Sequence, residues 1–317
     1  MSQHYDSLLR LISIALKTRQ TNPFGRFLQK HRWYDPRILL RIRPFIYTSL
    51  KKLVFWSCEH GDLYLIKKCL DKGCNINYAL VSASCWGNLE IVKYLVEQGG
   101  MIHYKNYRAF SWACQNGRLP VVKYIIDVGA DSKAEMIHAL DDYALRIACQ
   151  QGHLQVVKYL VEQGANIRAD SDYALRNAVF GGYLDVVKYL LNVGAENKAE
   201  MIHAGNDNAL VAASYQGHLE IIKYLVEQGA DIRSDNDFAL RVASSYGHLD
   251  VIKYLVEAGA NVQADDNSPL KRACVGGYLQ VVKYLIEAGA ENSENALRLA
   301  SVHGRHAVVE YLTSVSK

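Results

Sequence analysis

A nine-residue phrase, Gly-His-Leu-x-Val/Ile-Val/Ile-Lys-Tyr-Leu, recurs down this chain, most clearly at Gly152–Leu160, Gly217–Leu225 and Gly247–Leu255. A second phrase, Gly-Ala-Asp/Asn, comes after each copy at Gly164, Gly229 and Gly259. Aligned on the first Gly, nine copies stand at Gly61, Gly87, Gly117, Gly152, Gly182, Gly217, Gly247, Gly277 and Gly304, with gaps of 26, 30, 35, 30, 35, 30, 30 and 27 residues. Self-similarity at a period of this length specifies a solenoid, in which each unit buries its apolar face only against its neighbours. Such an array presents a long surface, and surfaces of this kind bind.

Each unit reads as a pair of helices. In the unit from Asp237 to Ala260, Asp237 precedes Phe238-Ala-Leu-Arg and is expected to cap the first helix by accepting N–H groups of the next turn. Asp142, Asp172 and Asp207 hold the same place in their units. Gly247 ends that helix, because Gly enters the left-handed region without a Cβ penalty. The second helix, Leu249 to Ala258, sets Leu249, Ile252, Leu255 and Val256 in one stripe. Four residues before each inter-helix Gly the chain carries Ser57 and then Ala without exception. Three residues before it stand Cys58, Ser84, Cys114, Cys149, Val179, Ser214, Ser244, Cys274 and Ser301. Small side chains in register imply that neighbouring units approach closely.

From residue 52 to residue 317 the chain resembles the ankyrin repeat family, whose pattern is a Thr-Pro-Leu-His turn, Ala-Ala, Gly-His-Leu, a second helix and Gly-Ala-Asp. The phrase Lys-Tyr-Leu-Val-Glu-x-Gly-Ala looks most like ankyrin proteins of giant amoebal viruses, the mimivirus group. The resemblance implies an all-α solenoid of about nine helix pairs with a concave face that binds a protein partner and no enzymatic activity. The departures are specific. The family period is about 33 residues, whereas 30 is commonest here, which shortens the fingers between units. Thr-Pro-Leu-His becomes Tyr173-Ala-Leu-Arg176, Phe238-Ala-Leu-Arg241 or Asn208-Ala-Leu-Val211, and only Ser268-Pro-Leu-Lys271 stays near it.

Two units are longer and carry the same insert, Lys133-Ala-Glu-Met-Ile-His138 and Lys198-Ala-Glu-Met-Ile-His203. Duplication of a two-unit block accounts for the pair. Two readings stand: projecting loops that grip a repetitive partner, or copied insertions of little thermodynamic consequence. Eight of the 21 Tyr occupy one repeat position (Tyr94, Tyr124, Tyr159, Tyr189, Tyr224, Tyr254, Tyr284, Tyr311), where a ladder of stacked rings between second helices is expected.

The seven Cys contain no Cys-x-x-Cys, and four of them fill the small-residue register, which favours packing thiols in a reducing, intracellular compartment. His153, His218 and His248 are the family's Gly-His residue, expected to hold the turn by hydrogen bonding. His303 and His306 lack a third metal ligand. Phosphate-loop, nucleophile-elbow and zinc-protease motifs are absent from the sequence. The reading is therefore non-enzymatic, without cofactor or metal, and monomeric. No run approaches the ~20 apolar residues of a membrane span, and the opening segment does not read as a secretory signal.

The first 52 residues differ in kind. Eleven Lys and Arg stand against Asp6 and Asp35, a net +9 that leaves −5 for the remainder of a chain whose total is +4. Leu8, Leu11, Ile12, Ala15 and Leu16 form an amphipathic pattern, Pro23, Pro36 and Pro44 punctuate the rest of the segment, and Trp33, Phe45, Ile46 and Trp56 need cover. We expect a basic N-terminal segment, 1–51, that covers the first unit. Its charge also suits a nucleic acid or an anionic membrane surface, recruitment of host machinery, or an organelle-targeting leader. The last residues, 295–317, read as the C-terminal cap.

In the ankyrin family the residues just before the inter-helix Gly, and those opening the first helix, face the concavity. Here these positions hold Tyr173, Phe180, Tyr215, Phe238 and Tyr246, with Arg176 and Arg241 nearby. Aromatic anchors give large contact area at low entropic cost, so these seven are the candidate partner-binding residues.

Overall fold

The computed structural model describes residues 43–315, with side chains from residue 50 onward. The expectations for residues 1–42, and for the side chains of Phe45 and Ile46, lie outside the described residues. Every described element is helical, and the helices pair as the periodicity requires. The chain divides into two units between Tyr104 and Lys105.

The first unit holds α1 (Arg43–His60), α2 (Leu63–Asp71), α3 (Ile76–Trp86) and α4 (Leu89–Glu97). One continuous helix, α1, runs across residues 51 and 52. It packs on α3, with Phe55 edge-on to Trp86 at 5.3 Å and the Cys58 thiol donating to the Ala79 carbonyl at 3.7 Å. Asp62 and Asn75 cap α2 and α3, accepting from the Leu65 and Tyr78 N–H groups at 2.9 and 3.0 Å.

The second unit holds α5 (Tyr104–Gln115), α6 (Leu119–Val128), α7 (Lys133–Gln150), α8 (Leu154–Glu162), α9 (Ala169–Gly181), α10 (Leu184–Val193), α11 (Lys198–Gln216), α12 (Leu219–Glu227), α13 (Ser234–Tyr246), α14 (Leu249–Glu257), α15 (Ala264–Gly276), α16 (Leu279–Glu287), α17 (Glu294–Val302) and α18 (His306–Val315). First helices stack on first helices from α7 through α17, and second helices on second helices from α6 through α18. Of the expected stripe Ile252 and Leu255 are fully buried, while Leu249 and Val256 are only half-buried, and Val251 takes the remaining core place. The counterparts of Val251, Ile252 and Leu255 from Leu65 to Leu285 are buried too. The Ala register from Ala83 to Ala300 is buried without exception. All nine inter-helix Gly lie at φ between +67° and +85°.

Each first helix of the second unit, from α7 to α15, contains a turn that the sequence did not suggest. Three successive residues take left-handed backbone angles: Asp170-Ser171-Asp172, Asp235-Asn236-Asp237 and Asp265-Asp266-Asn267 among them. Left-handed backbone costs ordinary L-residues roughly 1–2 kcal/mol each and is tolerated best by Asn and Asp. In α7, α9 and α13 the guanidinium six residues on stabilises the turn. Arg146, Arg176 and Arg241 donate from Nη2 to the carbonyls of Leu140, Asp170 and Asp235 at 2.7, 3.2 and 2.7 Å. Where Val211 replaces this Arg, the first left-handed residue is Gly205, the one residue type that needs no such help.

The expected helix caps are corrected. Among the described residues Asp142, Asp172, Asp207 and Asp237 accept no backbone N–H of the helical turn that follows them. The buried carboxylates of Asp142, Asp207 and Asp237 reach forward 24 residues to the N–H groups of Asn166, Asp231 and Asn261, each at 2.9 Å, and so tie one repeat to the next. Asn267 does the same for Glu291 at 3.0 Å. Each buried Asp has a cationic or imidazole partner four residues earlier. His138 and His203 lie 3.1 and 3.0 Å from Asp142 and Asp207, and Arg168 and Arg233 lie 2.7 and 3.8 Å from Asp172 and Asp237. Where that partner is the neutral Gln263, the buried residue is the neutral Asn267, so a carboxylate is buried only where a basic side chain stands beside it.

The twin inserts do not project. Each continues as a helical segment, and Met136, Ile137, Met201 and Ile202 are all at least 98% buried. Lys133 donates to Gln163 Oε1 at 2.7 Å, and Lys198 bonds Gln228 in the same way. Gly129 and Gly194, which precede the inserts, lie at φ −91° and −84°, unlike the left-handed Gly164, Gly229 and Gly259. A Cβ at Gly194 would stand 2.5 Å from the Met201 sulfur. The inserts are thus added core, and each supplies the His that faces a buried Asp.

The tyrosine ladder is also corrected. Among the described residues its rings do not stack on one another. Instead Lys123, Lys158, Lys188, Lys253 and Lys283 place their Nζ atoms 5.2–5.8 Å from the ring centroids of Tyr159, Tyr189, Tyr224, Tyr284 and Tyr311 in the following helix pair. At this position a Lys of the preceding pair, and not the preceding Tyr, faces each of these rings.

Candidate binding face of the first helices

The residue after each inter-helix Gly sets how closely repeats approach at the helix ends. His153, His218 and His248 bring Nε2 to the carbonyls of Gln115, Phe180 and Tyr215 in the preceding pair, at 2.9, 3.2 and 2.9 Å. Hydrogen bonding by the Gly-His residue therefore occurs as expected, but between repeats. Arg305 Nε does the same to Val275 at 2.9 Å. These rings lie flat on the Gly of the earlier pair: a Cβ at Gly117, Gly182 or Gly217 would stand 2.6–2.8 Å from the imidazole. Tyr183 and Tyr278 cover Gly152 and Gly247 in the same manner, and both come after a double Gly.

On this frame the candidate residues separate into two groups. Phe180, Tyr215 and Tyr246, at the C-terminal ends of α9, α11 and α13, form one strip. Phe180 and Tyr215 are stacked at 6.1 Å, and Tyr215 and Tyr246 meet at 4.3 Å with a 56° tilt. All three remain exposed, at 41%, 40% and 45%. The Tyr246 hydroxyl, hydrogen-bonded to the Tyr215 side chain, is raised above its usual pKa by that bond first and by burial second. His248 extends the strip, its ring 6.4 Å from that of Tyr246.

The second group lies at the helix starts. Tyr173 is held between the guanidinium groups of Arg146 and Arg176, at 5.2 and 4.7 Å, and Phe238 lies under that of Arg241 at 4.9 Å. Tyr173 and Phe180 are seven residues apart on α9, so the two groups share one helix face. The cations here are engaged within the protein. Besides holding the left-handed turns, Arg146 and Arg241 pair with Asp170 and Asp265 of the next repeat, both at 2.6 Å. Tyr143, exposed like Tyr173, occupies the same register. The sequence announces it, since Asp-Tyr-Ala-Leu-Arg occurs at both 142–146 and 172–176.

The Cys are free thiols, five of them buried. Burial pushes Cys58, Cys69 and Cys274 up to about 12 and raises Cys114 and Cys149 as well. Among the described residues no group of three or more His, Cys, Asp or Glu side chains could hold a metal ion, and no helix is long and apolar enough to cross a membrane.

Helix pairs stacked at this period, joined by Gly-centred turns, define an α-solenoid repeat protein. The chain belongs to the ankyrin repeat family, whose model of three ankyrin repeats matches residues 54–136, 132–201 and 196–266. Ankyrin repeats are in general protein–protein interaction modules and typically not catalytic. Relatives include the putative ankyrin repeat protein L66 of Acanthamoeba polyphaga mimivirus, 34% identical over 88 residues, which is 26% of this chain and 15% of that protein. The ankyrin repeat and KH domain-containing protein mask-1 of Caenorhabditis elegans is 32% identical over 109 residues, 31% of this chain and 4% of that protein. The chain thus spans a small part of the length of the relatives it matches.

Proposed function

We propose that this chain is a non-enzymatic, intracellular scaffold that binds a partner protein on the face carried by its first helices, with Phe180, Tyr215 and Tyr246 as the anchor. The observation that supports this is the strip itself. Three aromatic rings from consecutive repeats touch one another, yet each keeps about two-fifths of its surface open to solvent. Rings that merely finished the core would be covered. Tyr173 and Phe238 border the strip along the same helices, and their Arg176 and Arg241 neighbours fix their orientation. Rigid, pre-positioned aromatics reduce the ordering entropy that binding must overcome. The monomer is the binding unit. The phrase shared with the mimivirus group supports a viral origin, for which transcripts in infected amoebae are the test.

The test of function compares the full chain with a Tyr215→Ala, Tyr246→Ala variant in pull-downs from infected or transfected cells. The variant keeps its helical circular dichroism and loses the main partner. Retention of the partner at the original level, with loss instead on deletion of residues 1–45, overturns this reading. It would move the function to the basic segment, as an adaptor for host machinery or as a binder of nucleic acid or anionic membrane. The net +9 of that segment supports this second reading.

A further inference from the structure

A cleft of about 550 Å³ lies next to the strip, since Ser245, the residue before Tyr246 on α13, lines it. Ser268, Lys271 and Arg272 of α15, Leu299 of α17 and Arg305 line it as well. No acidic residue lines it. Three cations therefore surround one opening, in a part of the molecule whose other guanidinium groups are mostly matched by carboxylates.

The three cations are not equivalent. Lys271 is ion-paired with Asp266, and its charge is answered locally. Arg272 uses Nε on Ser268 Oγ at 3.0 Å and Nη1 on Ser245 Oγ at 3.3 Å, two neutral acceptors that orient the guanidinium without neutralising it. Arg305 directs Nε to the Val275 carbonyl at 2.9 Å and lies across Gly277, so its fork is fixed while the side chain stays at the surface. Among the described residues neither Arg272 nor Arg305 is paired with a carboxylate. Two oriented, unmatched guanidinium forks beside an open cleft form a ready receptor for a planar anion, because Arg meets a carboxylate in bidentate geometry.

We infer that the cleft receives an acidic side chain of the partner, so that the strip and cleft together bind a peptide segment in which apolar residues adjoin Glu or Asp. The inference rests on the proposed use of the first-helix face and gives its partner a chemistry. The apolar part of the segment lies over Phe180, Tyr215 and Tyr246. The carboxylate enters between Arg272 and Arg305. Ser245, which accepts the Arg272 bond, directly precedes Tyr246 on α13, so the cleft adjoins the end of the strip. The cleft's apolar elements, Leu299 and Val275, lower the local dielectric and strengthen the pair over one in open water.

The test uses the full chain and a fluorescein-labelled peptide in which a run of leucines precedes a run of glutamates, with a twin carrying glutamines, read by anisotropy. The acidic peptide binds about tenfold or more tightly than its twin at low salt, and the difference shrinks as salt rises. Arg272→Gln removes most of the difference, whereas Arg305→Lys, which keeps the charge but not the fork, removes part of it. Thermal melts of both variants establish that they fold. Equal binding of the two peptides, or an acid preference unchanged in Arg272→Gln, overturns the inference. So does tighter binding of a single-stranded oligonucleotide than of the acidic peptide, displaced by the same substitution. If Tyr215→Ala, Tyr246→Ala abolishes binding of both peptides while the acid preference is absent in the original chain, the binding face stands and the cleft assignment alone fails.

Discussion

Gly276 offers a test in which two well-understood effects oppose each other. It is the last residue of α15, with a φ that any residue can adopt. Gly→Ala inside a helix is ordinarily stabilising by about 1 kcal/mol. Here a Cβ would stand 2.2, 2.5 and 3.0 Å from three ring atoms of Tyr278. That ring cannot simply retreat, because it also lies on Gly247, where a Cβ would meet it at 2.5 Å. Displacing a packed ring costs roughly 1–3 kcal/mol. The propensity gain offsets only part of that cost, and Gly276→Ala should destabilise the junction by up to about 2 kcal/mol. The partner substitution is written in the other repeats. Gln151-Gly152-His153, Gln216-Gly217-His218 and Tyr246-Gly247-His248 all carry a side chain before the Gly and the smaller imidazole after it. In a Tyr278→His background, Gly276→Ala should be neutral or stabilising by up to about 1 kcal/mol. Its imidazole would take the Ser245 carbonyl as the other His rings take theirs. The assay is a double-mutant cycle. Because long repeat arrays depart from two-state unfolding, it is read both from the urea midpoint and from amide exchange along α15 and α17. Wild-type stability of Gly276→Ala with Tyr278 in place, or the same penalty in both backgrounds, would refute the reasoning.

Ala243 is fully buried between first helices, so Ala243→Leu should cost ~1–3 kcal/mol, and an unchanged urea midpoint would remove it from the contact. Asp237→Ala strips the buried acceptor from the Asn261 N–H, lowering stability by about 1–3 kcal/mol and speeding exchange of that amide. Asp237→Asn, which imitates Asn267, should retain most of the bond. Native protein should react with far fewer than seven thiols and unfolded protein with all seven without reductant, as read by thiol titration. A disulfide among Cys58, Cys114, Cys149 and Cys274 would refute this. Since Cys58, Cys69 and Cys274 are raised from 9.0 to about 12 on folding, their contribution is intact below pH 9 and is lost as pH climbs toward 12. The unfolded chain then ionises where the folded one does not. The urea midpoint should fall over that interval, and less so when these three are replaced by Ala.

The sequence by itself determined the period, the helix pairs, the core stripe and the turn positions, because each is a local property repeated nine times. Gly247, Ala243 and Leu255 are legible in one repeat and echoed in the others. The candidate aromatics were legible as departures from a near-constant pattern. Their contact was not, since Phe180, Tyr215 and Tyr246 occupy two different registers and meet only because successive repeats stack. Only the tertiary structure decided what the polar residues do. Asp237 looks like a local cap, yet its carboxylate serves an amide 24 residues away. Arg241 looks like a surface charge, yet it holds a left-handed turn behind it and an Asp ahead of it. The Met-Ile inserts look like loops but fill core. In each case the partner belongs to a neighbouring repeat or to an irregular turn. A repeat pattern reports what every copy shares, whereas a hydrogen bond depends on the distance and direction set when the copies pack.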